Sequence, residues 1–167
     1  MAIAARVEQL AREIAKDLPV SDPLIIGLLT GSFIFIADLV RALARLNVES
    51  RIDFMAVSHY GSATESSGLV KIVKDVTLDV SGQSVLLVDD ILDTGRSLSL
   101  ARDRLAARSP MWLRTCVLLD KPSRRVVPIK ADYVGFDVPD VWVIGYGLDA
   151  AGEGRALPYV GAVEPEG

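Results

Sequence analysis

Apolar positions change their period along this chain, and each change marks an element. Ile3, Val7, Leu10 and Ile14 recur at helical spacing, so residues 2–17 read as an amphipathic helix that Pro19 ends. Leu24 to Leu29 is an unbroken apolar run, the pattern of a parallel strand buried on both faces. A Thr30-Gly31-Ser32 turn with a cap follows. Ile36, Val40 and Leu43 then restore the helical period and predict a helix over 33–46. Strands are predicted at 51–57, at 69–74 with one face exposed, and at 85–88, the centre of the sheet. A helix over 98–108 puts Leu98 and Leu105 on one face and turns Arg102 and Arg104 to solvent. Strands at 112–119, 131–136 and 141–144 complete the set. Strands alternating with helices predict an α/β fold, a mostly parallel twisted sheet flanked by helices. The chain shows no internal repeat and no low-complexity segment.

Composition narrows the class. A chain of 167 residues, half of them hydrophobic, suits one domain with a sizeable core. The formal net charge of −4 argues against a dedicated nucleic-acid binder. No apolar run reaches the length of a membrane span. Charged residues between Arg6 and Asp17 do not fit a signal peptide. Cys116 is the single cysteine, so no internal disulfide forms; its apolar neighbours predict a buried core thiol. A cytoplasmic protein without membrane or nucleic-acid partners is expected.

The chemistry concentrates after the central strand. Asp89-Asp90-Ile91-Leu92-Asp93-Thr94-Gly95-Arg96-Ser97 puts two carboxylates at the strand's end and a third at the start of the turn into the next helix. One Asp before a Thr-Gly pair is an ordinary strand-to-helix turn. Three carboxylates within five residues are not, because they repel one another and call for a cation or a ligand. Ligands of open α/β sheets bind at the carboxyl ends of strands. A helix N-terminus offers unpaired N–H groups and a partial positive charge to phosphate. Hydroxyl and metal ligands thus stand beside a phosphate cradle, the combination a sugar phosphate needs. The loop Ser58 to Gly68 is long, small and polar, with Tyr60 as its lone large aromatic, and reads as a lid that shields a reaction from water.

These residues resemble a known family. Asp89 to Ser97 is similar to the phosphoribosyl pyrophosphate motif of the type I phosphoribosyltransferases. Gly27 to Val40, Leu119-Asp120-Lys121-Pro122, Asp132 to Phe136, Trp142 to Asp149 and Arg155 to Gly161 resemble the hypoxanthine(-guanine) branch. The resemblance spans about residues 20–164. It implies a type I phosphoribosyltransferase fold in a single domain, 1–167. Its core would cover about 20–125, with a small hood from about 1–20 and 126–167. It implies Mg²⁺-dependent transfer of a 5-phosphoribosyl group from phosphoribosyl pyrophosphate to N9 of hypoxanthine, and of guanine, by a homodimer or homotetramer.

Site roles follow from the same resemblance. Asp89 and Asp90 would hold the ribose hydroxyls, directly or through Mg²⁺, and Asp149 a second Mg²⁺. Asp93 would exchange the proton at purine N7. Asp93, Thr94, Gly95, Arg96 and Ser97 would cradle the 5′-phosphate. Leu29, Thr30 and Gly31 would meet pyrophosphate on a loop with a non-proline cis peptide, and Arg155 would join them. Lys121 would donate to the purine 6-oxo group, Trp142 would stack on the base, and the Val143 backbone would read its edge. Three places depart from the family: Thr30 stands where many relatives have Lys, His59 where the lid usually begins with Ser, and Ala150-Ala151-Gly152-Glu153-Gly154 is smaller and less aromatic than usual. A xanthine-preferring enzyme and a nucleotide-sensing, RNA-binding regulator on this fold are the alternatives. The absence of Gly-x-x-x-x-Gly-Lys-Ser/Thr argues against a P-loop NTPase.

Overall fold

A computed structural model describes residues 2–59 and 69–164. Among them are three helices, α1 (Ala2–Asp17), α2 (Phe33–Ala44) and α3 (Arg96–Ala106). The strands are β1 (Leu24–Leu29), β2 (Arg51–His59), β3 (Val70–Lys74), β4 (Ser84–Leu92), β5 (Trp112–Asp120), β6 (Tyr133–Asp137), β7 (Trp142–Ile144) and β8 (Gly161–Val163). Six of them form one sheet in the order β3-β2-β1-β4-β5-β6. All its neighbours pair parallel except β3, which runs antiparallel to β2 at one edge.

Side-chain alternation divides the core between the two faces of this sheet. Ile25, Leu86, Val88, Cys116 and Leu118 pack with α1 and α2. Leu24, Ile26, Val85, Leu87 and Val117 pack with Leu98, Ala101 and Leu105 of α3. The apolar run of β1 is explained by this double burial. The predicted core thiol is there too: Cys116 is fully buried, and burial pushes its pKa up.

The order of strands sets the site. From β1 the chain passes to β2 on one side and later to β4 on the other. The carboxyl ends of β1 and β4 therefore flank the crevice where an open sheet binds ligands.

Several sequence expectations need correction. The central strand does not end at the carboxylates. β4 runs on to Leu92 because β5 continues beside it, pairing Ile91 with Leu119 and Leu92 with Asp120. Ladder bonds and the apolar pair Ile91-Leu92 override the poor strand propensity of Asp. β2 likewise reaches His59 through its pairing with β3. Helix α2 stops at Ala44, short of residue 46, and Asn47 beyond it takes a left-handed φ of 62°. Helix α3 starts at Arg96, earlier than predicted, because Gly95 at φ 91° turns the chain into it. Ser32 occupies the N-cap position of α2 without capping it; its hydroxyl donates back to the Leu28 carbonyl. β7 leaves the main sheet and pairs antiparallel with β8, a strand the sequence reading missed.

Candidate active site

β4 delivers the acidic pair. The Asp89 carboxylate accepts the Asp90 N–H at 2.8 Å, and that of Asp90 accepts the Ile91 N–H at 2.7 Å. Asp89 is buried. Burial first, and then the neighbouring Asp90 charge, push its pKa well above the ordinary carboxylate range. Placing two such carboxylates together costs stability, so the arrangement is one that a cation or a hydroxyl-rich ligand would relieve.

Beyond them Asp93, Thr94 and Gly95 turn into α3. No side chain caps that helix. The nearest approach is the Thr94 hydroxyl, 3.4 Å from the Arg96 N–H. The first-turn N–H groups thus face outward at the positive end of the helix dipole. A segment that the sequence reading passed over holds this turn in shape. Arg125 donates to the Asp93 carbonyl at 2.6 Å and pairs with the Asp120 carboxylate. The Val126 and Val127 N–H groups donate to the Thr94 carbonyl at 2.8 and 3.0 Å. Nothing in the spacing of Ser123-Arg124-Arg125 distinguishes these arginines from solvated surface charge.

β1 supplies the second wall. The Leu29–Thr30 peptide is cis, as the resemblance implies. Gly31 lies against the Asp90 carboxylate so closely that a β-carbon there would overlap it. The loop after β7 seals this side. Gly147 abuts the Gly31 carbonyl, leaving no room for a side chain. The Tyr146 hydroxyl donates to the Asp38 carboxylate of α2. Arg155 donates to the Gly147 carbonyl at 2.6 Å and meets Asp149 at 3.2 Å, while the Gly152 N–H also donates to Asp149 at 2.8 Å.

These walls enclose a cavity of about 600 Å³. Leu29, Gly31, Asp89, Asp90, Asp93, Thr94, Gly95, Ser97, Trp142, Asp149 and Arg155 all line it, so most of the residues singled out in the sequence converge. His59 and Arg124 line it as well. Thr30, Arg96, Lys121 and Val143 are not in the cavity wall. Lys121 is buried, and its N–H donates to the Leu92 carbonyl at 2.9 Å. Val143 is buried against the main core with Tyr146 and Leu148, whereas its neighbour Trp142 stands exposed at the rim. Tyr60, and with it most of the predicted lid, lies outside the described residues. A hollow of about 740 Å³ near Arg41 and Ile52 contains none of the expected site residues.

Among the described residues, no three acidic, histidine or cysteine side chains converge to hold a metal unaided. The carboxylates present suit Mg²⁺, which takes one or two carboxylates and completes its shell from water and substrate oxygens.

Carboxylates set beside a helix N-terminus that no side chain caps share one cavity, on a sheet of the doubly wound α/β class. The chain belongs to the phosphoribosyl transferase family, whose domain matches residues 1–151. It is 50% identical over 163 residues to a hypoxanthine-guanine phosphoribosyltransferase of Aquifex aeolicus, covering 97% of this chain and 90% of that one. It is 46% identical over 164 residues to the hypoxanthine phosphoribosyltransferase of Escherichia coli strain K12, covering 96% and 90%. A solved hypoxanthine-guanine phosphoribosyltransferase from Bacillus anthracis superposes with a TM-score of 0.89 at 39% identity, covering 98% of this chain and 94% of that one.

Proposed function

We propose that this protein transfers the 5-phosphoribosyl group of phosphoribosyl pyrophosphate to N9 of hypoxanthine, and of guanine, in purine salvage. One observation carries the reading: the acidic end of β4 and the glycine-turned N-terminus of α3 open into a single cavity. The hypoxanthine phosphoribosyltransferases among its relatives support the choice of base.

The family resemblance gives each residue a task, and the shared cavity supports most of them. The α3 N-terminus and the Thr94 and Ser97 hydroxyls bind the 5′-phosphate. Asp89 and Asp90 orient the ribose hydroxyls. Leu29, Thr30, Gly31 and Arg155 face pyrophosphate. Trp142 stacks on the purine, with the Val143 backbone and Lys121 reading its edge once the site closes around substrate. In the N7–H form of the base, N9 bonds to ribose C1′ while the bond from C1′ to pyrophosphate breaks. The N7 proton passes to Asp93. Asp89, Asp90 and Asp149 are the residues that would hold Mg²⁺. When bound, it neutralises charge growing on the departing pyrophosphate oxygens.

The same reading takes the chain as a single domain; α1 packs into the main core and β6 pairs with β5, so of the expected hood only the β7–β8 segment stands apart from the six-stranded sheet. It also makes the enzyme a cytoplasmic homodimer or homotetramer. No described helix is long and apolar enough to cross a membrane. Light scattering tests the assembly: a solution mass of two or four times the 18.0 kDa chain is expected.

Pyrophosphate release, measured with phosphoribosyl pyrophosphate, Mg²⁺ and one base at a time, tests the reaction. Turnover with hypoxanthine and guanine is expected, and little with adenine or uracil. Turnover confined to xanthine would reassign the base. No turnover with any base would overturn the reading.

A further inference from the structure

Asp93 is not alone in the cavity. Arg124, on the short 3₁₀ turn Pro122–Arg124, donates from Nε to Asp93 Oδ1 at 3.2 Å. Its Nη1 lies 3.9 Å from Asp140 Oδ1. Among the described residues, no group donates to Asp93 Oδ2. The guanidiniums of Arg125 and Arg155 are committed elsewhere, to Asp120 and Asp149.

We propose that Arg124 is a positioning residue for Asp93, one that also links it to the segment carrying the base-stacking Trp142. The inference rests on the reading of Asp93 as the group that takes the purine proton. Holding Oδ1 fixes the carboxylate plane and leaves Oδ2 to meet the N7 proton. Asp140 stands two residues before Trp142 in the chain. A base seated against Trp142 and the carboxylate that receives its proton are thereby placed by one guanidinium.

Burial bears on why the contact exists. The Arg124 side chain is 50% exposed, that of Asp93 39% and that of Asp140 58%. Ion pairs this open contribute little to stability, because water and salt screen them. A contact with little structural value inside a catalytic cavity is explained by alignment. Arg124 does not bind the phosphate or pyrophosphate in this account, so its loss should leave the affinity for phosphoribosyl pyrophosphate unchanged.

The test is a double-mutant cycle. Arg124→Ala, Arg124→Lys, Asp93→Asn and the pair Asp93→Asn/Arg124→Ala are assayed for kcat, for KM of hypoxanthine and phosphoribosyl pyrophosphate, and for thermal midpoint. Arg124→Ala should lower kcat about 10- to 100-fold, the cost of misplacing a catalytic group by an ångström. The KM for phosphoribosyl pyrophosphate and the melting temperature should stay near the parent values. Arg124→Lys should recover part of the loss. In the Asp93→Asn background, Arg124→Ala should change kcat by less than about 3-fold, since residues acting as a unit are not additive. Equal losses in both backgrounds would overturn the proposal while leaving the role of Asp93 intact. An Arg124→Ala variant with parent kcat would overturn it as well. Full turnover in Asp93→Asn would overturn the role of Asp93 and this inference with it.

Discussion

Asp93 is the residue to which proton transfer is assigned. It lines the cavity between Asp89 and Asp90 on one side and the turn into α3 on the other. Asp93→Asn keeps the shape and removes the base. Its kcat should fall about 10²- to 10⁴-fold, the usual worth of general acid–base catalysis, with a much smaller change in KM for the base. Equal losses in both would mean that Asp93 binds rather than catalyses. Asp89 makes the opposite kind of prediction. A buried carboxylate beside a second one destabilises the substrate-free protein. Asp89→Asn should therefore raise the thermal midpoint of the empty protein by about 2–4 °C, equivalent to about 1 kcal/mol at this size, while depressing turnover. A lower midpoint would contradict the origin assigned to the raised pKa. Gly95 is constrained by shape. Its φ is 91°, and a β-carbon would sit 2.7 Å from Ile129 Cγ2. Gly95→Ala should cost about 1–3 kcal/mol of stability and raise KM for phosphoribosyl pyrophosphate, read by melting and kinetics together.

At the element scale, the sheet depends on a carboxylate far from the chemistry. Asp53 in β2 accepts N–H bonds from Phe54 at 2.8 Å, Thr77 at 2.7 Å and Leu78 at 2.9 Å, with Lys74 at 3.8 Å. Burial acts to raise its pKa, but these donors and the lysine charge outweigh it, and the group lies below the ordinary carboxylate range. A carboxyl whose native pKa is lowered stabilises the fold above the unfolded value of about 3.9 and loses that stabilisation as pH falls through the native value. Asp53→Asn should cost about 1–3 kcal/mol at neutral pH. Urea midpoints at pH 7 and in acid should show a shallower acid dependence in the variant than in the parent. An unchanged slope would remove Asp53 from the acid response. The elements themselves were legible wherever one principle dominated. Helix α1 and strand β1 match their predicted bounds because periodicity and burial agree along their whole length. The end of β4 was not legible. Asp89 and Asp90 look like a strand terminus locally, and only the neighbouring β5 extends the ladder past them.

Across the whole molecule, the site gathers residues from distant parts of the chain. Asp89 to Ser97 could be read from sequence because strand, acidic pair, turn glycine and helix follow one another directly. Trp142, Asp149 and Arg155 could be reached only through the family resemblance, since each alone reads as core or surface. Arg124 and Arg125 could not be found at all, because their importance lies in what they touch across the fold: Asp93, Asp120 and the loop carbonyls. The same distance effect explains Lys121, whose burial under the end of β4 the sequence does not show. Lys121 stays out of the cavity wall, which sequence pattern does not encode either.

A crystal structure with inosine 5′-monophosphate and Mg²⁺ would show whether the acidic end of β4 and the N-terminus of α3 form one ribose-phosphate site. The 5′-phosphate is expected within hydrogen-bonding distance of N–H groups between Asp93 and Ser97, the ribose hydroxyls facing Asp89 and Asp90, and the purine against Trp142. A nucleotide whose phosphate lies elsewhere, such as the hollow near Arg41 and Ile52, would contradict it.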